Sequence, residues 1–292
     1  MIRRLLVEPY QLEFMRRALI EVLVLGALGG VVGVHVLLRR LAFLTEALQH
    51  TVFPGIAVAF VAGQSLLVGA MVAAAATVVV LVLFTNSLRI DSDAALAVLI
   101  AGFFALGVVV VSHRSGYAAD LSQLLFGRIL DVDARQIAET ALIAAVALGV
   151  VGVFHRQLVL VAFDRAQAEA LGYRVALLDL VLNVVVAMTV VVAVRAVGTV
   201  LVVAFVVTPA ASARLIGRSI GVTIAVAVAF ASLLGWIGLS ASFEASVHHG
   251  VRLAAGATVV VTFTLGFCIL GAATYLVQRR ASRFHAVEEA AG

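Results

Sequence analysis

The stretch Thr45-Glu-Ala-Leu-Gln-His50-Thr-Val-Phe-Pro-Gly55-Ile-Ala-Val-Ala-Phe60 decides how this chain is read. It is apolar enough to lie in a bilayer, yet it carries Glu46 and His50. An ionised carboxylate near mid-bilayer costs roughly 2.5–3.5 kcal/mol on insertion scales, and such a residue is a functional-site hypothesis by default. The i, i+4 spacing sends both side chains out of one helix face. A carboxylate and an imidazole together make half of a divalent-metal site. The reading is therefore that Glu46 and His50 are metal ligands on a transport path. The other reading of the same spacing is an intrahelical hydrogen bond that only satisfies both groups.

The rest of the chain supplies the membrane. Of its 292 residues 64% are apolar and 12% charged, and the mean hydropathy is +1.18. Soluble domains sit near 45–50% and 25%. The composition implies one all-α polytopic membrane domain over 1–292, with polar ends at 1–17, read as an amphipathic segment, and at about 278–292. Apolar runs lie at about 18–38, 43–63, 66–88, 94–112, 136–154, 176–194, 197–216, 219–239 and 255–277. Each reaches roughly the 20 residues a bilayer needs. That gives nine spans, or eight if the interrupted run 43–63 does not cross. The runs are continuous, which argues against the alternating segments of a β-barrel. The first run is a full span without a small-residue cleavage site, so no cleavable signal is expected.

All 20 of the Lys and Arg residues are Arg. They mostly flank spans, so they read as topology determinants and not as a nucleic-acid surface. A P-loop needs its Lys on the nucleotide phosphates, so ATP-driven transport would require a separate ATPase subunit. Cys268 is the only cysteine, which excludes an intrachain disulfide and a thiolate metal cage. With the N-terminal segment set aside, the Arg balance places the C-terminus inside by the positive-inside rule.

Further residues are placed by chemistry. Pro54-Gly55 and Pro209 interrupt one apolar run in each half, the pattern expected where a transporter builds its substrate site. Asp179 and Asn183, at i, i+4, are candidates for a polar pathway lining, and Met188 for a soft gate, against plain packing. Residues 113–135 read as an amphipathic helix across a pore mouth or an ordinary interfacial loop. His248 and His249 sit with Glu244 in an outer loop, His35 near the inner end of the first span. Residues 157–175 read as a cytosolic loop with its own short helix. Two pairs, Gly26/Gly30 and Gly29/Gly33, fit helix packing without naming a partner. Gly217-Arg-Ser-Ile-Gly221 fits the nucleophile-elbow string but lies on a turn between spans with no strand before it.

Five ordered blocks over about residues 16–277 carry a family resemblance. Phe43-Leu-Thr-Glu-Ala-Leu-Gln-His50-Thr-Val-Phe-Pro-Gly55 resembles the signature of the membrane subunit of bacterial zinc/manganese ABC importers, roughly Phe-x-Gly-Asp-Ala-Leu-Ser-His-Ala-Val-Leu-Pro-Gly. Phe103-Phe-Ala-Leu-Gly-Val, Asp120-Leu-x-x-Leu-Leu-Phe-Gly127, Phe163-Asp with Ala170-Leu-Gly172, and Ala196-Val-Gly-Thr-Val-Leu with Pro209-Ala-Ala-x-Ala-Arg214 follow in order. The resemblance implies a transmembrane domain related to the type II (vitamin B12/siderophore) importer fold. It also implies a homodimer in the bacterial plasma membrane, two cytosolic ATPases that bind the ATP, and an extracytoplasmic metal-binding protein. The chain itself would be no enzyme and hold no resident cofactor. Its cargo would be Mn²⁺ or Zn²⁺, passing Glu46 and His50 at the dimer axis, with Glu46 standing where the family usually has Asp. The loop 157–175, with Glu169, Ala170 and Gly172, would couple to the ATPase. The alternatives are a permease for metal chelates and a membrane-embedded metalloenzyme.

Overall fold

The computed structural model describes residues 8–86, 90–112, 129–199, 202–248 and 253–291. The Asp120 block, residues 113–128, His249 and residues 1–7 of the N-terminal segment lie outside these. The helices are α1 (Glu13–Leu38), α2 (Ala42–Thr51), α3 (Phe53–Val61), α4 (Leu66–Asn86), α5 (Ser92–Ser112), α6 (Ala134–Phe163), α7 (Arg165–Ala170), α8 (Val175–Val197), α9 (Val202–Arg214), α10 (Ile220–His248) and α11 (Ala255–Ala291). Short 3-10 turns stand at Glu8–Gln11 and Ile129–Asp131. No strand occurs among the described residues.

Glycine decides the packing around α1. A Cβ on Gly26 would meet Ala231 at 3.3 Å, and one on Gly30 would meet the Val228 backbone at 2.8 Å, so this stripe faces α10. A Cβ on Gly29 would stand 2.8 Å from the Phe205 carbonyl, and one on Gly33 only 2.0 Å from the Val206 carbonyl. The second stripe therefore faces α9. In a membrane, where lipid is as apolar as leucine, such close backbone approach is a main source of helix association. The two Gly-x-x-x-Gly pairs that name no partner in the sequence thus serve two different neighbours. Phe205 and Phe263 close this core, both at most 1% exposed, with ring centroids 4.9 Å apart.

The same contacts give direction. Gly235 meets Val22 and Gly30 meets Val228, so α10 runs antiparallel to α1. Thr140 bonds Glu21, and His155 bonds His35, so α6 runs parallel to it. Arg39 pairs with Asp179 at one end of α8, and Arg195 with Glu139 at the other, so α8 returns. Two faces result. The N-face carries Glu13, Glu21, Glu139 and Arg195. The C-face carries Arg39, Arg165, Asp179 and the α9–α10 turn.

Eight helical segments among the described residues are long and apolar enough to cross a bilayer. Ala42–Val61 is one of them, with 20 residues across the break between α2 and α3. The run 43–63, on which the count of nine or eight spans turns, is therefore long enough to cross, while 197–216 is described from Val202 to Arg214 as the 13-residue α9. Gly198, with a φ of 83°, ends α8. The chain still passes from Arg195 near the N-face to Arg214 on the C-face, so Glu13 and Arg279 lie on opposite faces. Tyr10 pins the N-face end: its hydroxyl lies 2.9 Å from Ser240 Oγ and 3.2 Å from the Trp236 carbonyl. Burial pushes the Tyr10 phenol up from its ordinary pKa, and the Ser240 bond opposes this.

The segment 157–175 is less of a loop than its polarity implies. Helix α6 continues to Phe163, and α8 begins at Val175. Between them α7 is fixed at both ends. Asp164 caps its start, accepting from Gln167 N at 2.8 Å. At its end Tyr173 N bonds the Ala168 carbonyl and Gly172 N the Glu169 carbonyl, a Schellman motif with Gly172 at φ 83°. The left-handed backbone is what requires glycine here. Helix α11 continues through the expected tail as far as Ala291.

Candidate metal centre

Glu46 and His50 lie on α2, and the next helical turn is broken. Pro54 has no N–H to give the His50 carbonyl four residues back, and the helix restarts at Phe53. Gly55 follows because α3 crosses α4 closely: a Cβ on Gly55 would stand 2.2 Å from the Gly69 carbonyl. Glu46 Oε1 lies 3.3 Å from His50 Nε2. The His50 ring stands edge-on to Phe104 of α5, with centroids 5.8 Å apart. The two side chains remain 41% and 27% exposed in the single chain. Gln49, beside them, is 3% exposed, and its Nε2 lies 3.5 Å from His50 Nε2. Its Oε1 is buried without a hydrogen-bond partner.

Other candidates fall elsewhere. Asp179 accepts from Arg39 and forms an ion pair with Arg165 at 3.1 Å. Arg165 also reaches Glu169 at 3.5 Å. A chain of charges thus joins α7 to the α1–α2 turn, where Arg40 takes a left-handed φ of 57°. Asp179 and Asn183 both line a cavity of about 740 Å³ that opens among α2, α4, α5 and α8 on the C-face. Met188 packs against the apolar core. Pro209 lies inside α9, where it denies the Phe205 carbonyl its donor. His35 is 1% exposed and bonds His155 at 3.4 Å, so it is a satisfied core residue rather than an interfacial one. His248 is the last residue of α10. Cys268 is exposed on the apolar surface of α11. Gly217 to Ser219 form the turn between α9 and α10, as expected of a chance elbow string. No group of three His, Cys, Asp or Glu side chains comes together among the described residues.

Comparison with known proteins adds the family. The model of the ABC 3 transport family matches residues 11–274. The chain belongs to the ABC 3 transport family. The manganese transport system membrane protein MntC of Listeria monocytogenes is 31% identical over 86% of this chain and 89% of its own. A probable iron transport system membrane protein of Haemophilus influenzae is 29% identical over 88% and 95%. Among solved structures, PsaBC from Streptococcus pneumoniae in complex with Fab superposes with a TM-score of 0.81 at 30% identity, covering 92% of this chain and 95% of that one. The ABC 3 chain is thus a multi-pass helical membrane permease with an ABC-importer transmembrane fold.

Sequence reasoning singled out Glu46 and His50 in this ABC 3 permease and passed over three features. Gln49 stands in the quoted stretch without having been assigned a role. Arg39 and Arg165 read only as span flanks, since nothing in the sequence pairs Asp179 with Arg39, 140 residues away, or with Arg165 on a separate helix. Glu21 was not singled out, yet it is wholly buried, accepting from Thr140 at 2.9 Å. Its place inside the apolar run of α1 was the available signal.

Proposed function

We propose that the chain is the membrane-spanning subunit of an ATP-driven importer of a divalent transition-metal ion, Mn²⁺ or Zn²⁺, which passes Glu46 and His50. The observation that carries this is the pair itself: two metal-type donors 3.3 Å apart, half exposed, on a broken helix. The named relatives, a manganese and an iron system, support a metal cargo. One chain offers too few charged donors to hold a metal alone. A second copy about a two-fold axis would double the set to two carboxylates and two imidazoles, so a homodimer is part of the reading. A path site need not be tight, because the ion must leave it again.

The C-face is the cytosolic side of this reading. Arg39, Arg40, Arg156, Arg165, Arg174, Arg214, Arg218 and Arg279 lie there, against Arg16, Arg17, Arg135 and Arg195 on the N-face. The C-terminus is then cytosolic in a bacterial plasma membrane, and an extracytoplasmic metal-binding protein delivers to the N-face. Two cytosolic ATPases dock on α7, whose Glu169, Ala170 and Gly172 stand exposed beside Leu171 at 62% exposure. A short helix with both ends locked can carry a rigid-body motion. Arg165 and Asp179 pass that motion to Arg39 and so to α2. Asp179 and Asn183 border the cavity into which the metal would emerge, and Met188 lies further along the same helix.

A membrane metalloenzyme would need a third ligand and a base of the His, Asp or Glu type beside the pair, and none accompanies it among the described residues. The test is metal uptake by the complex reconstituted with its ATPase and binding protein in proteoliposomes. Metal-loaded binding protein should stimulate ATP hydrolysis, and uptake should follow. Normal uptake in both Glu46→Ala and His50→Ala complexes would overturn the reading.

A further inference from the structure

We infer that Gln49 is a third ligand of the transported ion, and that it makes the path site one for a six-coordinate cation of the Mn²⁺ type in preference to Zn²⁺. The inference rests on the function proposed above. Glu46 and Gln49 both approach one atom, His50 Nε2, at 3.3 Å and 3.5 Å. That nitrogen cannot serve both in the usual way. If it carries a proton it donates to Glu46 and has no lone pair for the Gln49 amide. If it carries none it can accept from Gln49, and its lone pair then faces the Glu46 carboxyl. A cation between the three resolves the conflict, because it takes lone pairs from all of them.

The Gln49 amide points the same way. The residue is 3% exposed, and its Oε1 is buried without a partner. Oxygen and nitrogen of such an amide exchange places by a half-turn of the last torsion. As placed, Nε2 faces His50 and Oε1 has no hydrogen-bond partner among the described residues. A buried polar group left in this state calls for an explanation, and the amide oxygen turned toward His50 as a neutral ligand is one.

Ligand count then bears on the metal. Glu46 and His50 from two copies give four donors, the number a zinc site favours. Gln49 from each copy raises this to two nitrogens and four oxygens. Oxygen-rich octahedral sites suit Mn²⁺, whereas Zn²⁺ is content with four.

The experiment compares Mn²⁺ and Zn²⁺ uptake by the reconstituted complex for the wild type, Gln49→Leu and Gln49→Glu. Gln49→Leu removes the oxygen and should lower the Mn²⁺ to Zn²⁺ uptake ratio at least about tenfold, the lower end of what a ligand-supporting group is worth. Gln49→Glu restores an oxygen of the same reach and should keep the ratio within about threefold. A packing role alone would lower both metals together and leave the ratio where it was, which overturns the inference. Should Gln49→Leu not assemble, a Gln49→Glu complex whose ratio moves to favour Zn²⁺ overturns it equally. A wild type that takes up neither ion sinks the importer reading itself, a different result from an unchanged ratio.

Discussion

Two glutamates stand inside membrane helices of this chain, and their surroundings are opposite. Glu21 on α1 is wholly buried. It accepts from Thr140 at 2.9 Å and lies near Arg195, which is itself tied to Glu139 at 2.8 Å. Glu46 on α2 is 41% exposed and has only His50 and its neighbours beside it. Glu21 is bonded through Oε1, while its Oε2 is buried without a hydrogen-bond partner among the described residues. On the function proposed above, the contrast is between an acid enclosed by helix packing and an acid that stands open on the metal path.

The comparison breaks first at Glu46 and His50. Glu46→Ala, Glu46→Gln and His50→Ala should each lower metal uptake at least about 100-fold, beyond the tenfold to hundredfold that outer-shell groups are worth. The assembled complex should still purify, and its thermal midpoint should stay near that of the wild type, because half-exposed side chains carry little packing. Uptake in proteoliposomes and a melting curve of the same sample read both effects. A melt lowered as far as the transport would make Glu46 a second Glu21.

Glu21→Ala should do the reverse. It opens a cavity and leaves the Thr140 hydroxyl to find a carbonyl of its own helix. Losses of about 2–4 kcal/mol are expected for truncating a side chain of this size in a packed interior. Thermal unfolding in detergent measures this, and the complex that remains folded should transport at close to the normal rate. Transport lost without a change in melting would place Glu21 on the path.

How far this was legible beforehand can be judged residue by residue. Hydropathy alone gives the helices, because a bilayer demands long continuous apolar runs. It does not show where one of them ends: α8 stops at Gly198, whose positive φ is not readable from hydropathy. Glu46 and His50 were readable because their four-residue spacing is local. The partners of Asp179 were not, since Arg39 and Arg165 reach it only once α1, α7 and α8 have packed. For the same reason Gly29 and Gly33 announce a close neighbour but not that it is α9. Gly172 was chosen for close approach to a partner, while the structure gives it a nearer task as the left-handed terminator of α7.

A milder pair of substitutions sharpens the contrast by shortening each side chain. Glu46→Asp keeps the charge but withdraws it by one methylene. Uptake should fall within about tenfold, with a changed preference between Mn²⁺ and Zn²⁺, because coordination depends on reach. Glu21→Asp should cost about 1 kcal/mol, the worth of the Thr140 hydrogen bond it can no longer make, and should leave metal preference untouched. Competition uptake and melting curves give the two numbers on the same proteins.

The smallest expected effect is also the most discriminating. Glu21→Gln preserves shape and keeps an acceptor oxygen for Thr140, so stability should move by less than about 1 kcal/mol and uptake not at all. It could even rise slightly, because a neutral amide is cheaper than a charge to hold away from water. At position 46 the same exchange removes the negative charge that would face a divalent ion, and transport should collapse as it does for Glu46→Ala. One chemical change, made at two glutamates of one chain, should therefore be silent in one place and decisive in the other. If Glu21→Gln also abolished uptake, the charge near Arg195 would have to move during transport, and the N-face network of Glu21, Glu139 and Arg195 would become part of the gate rather than part of the frame.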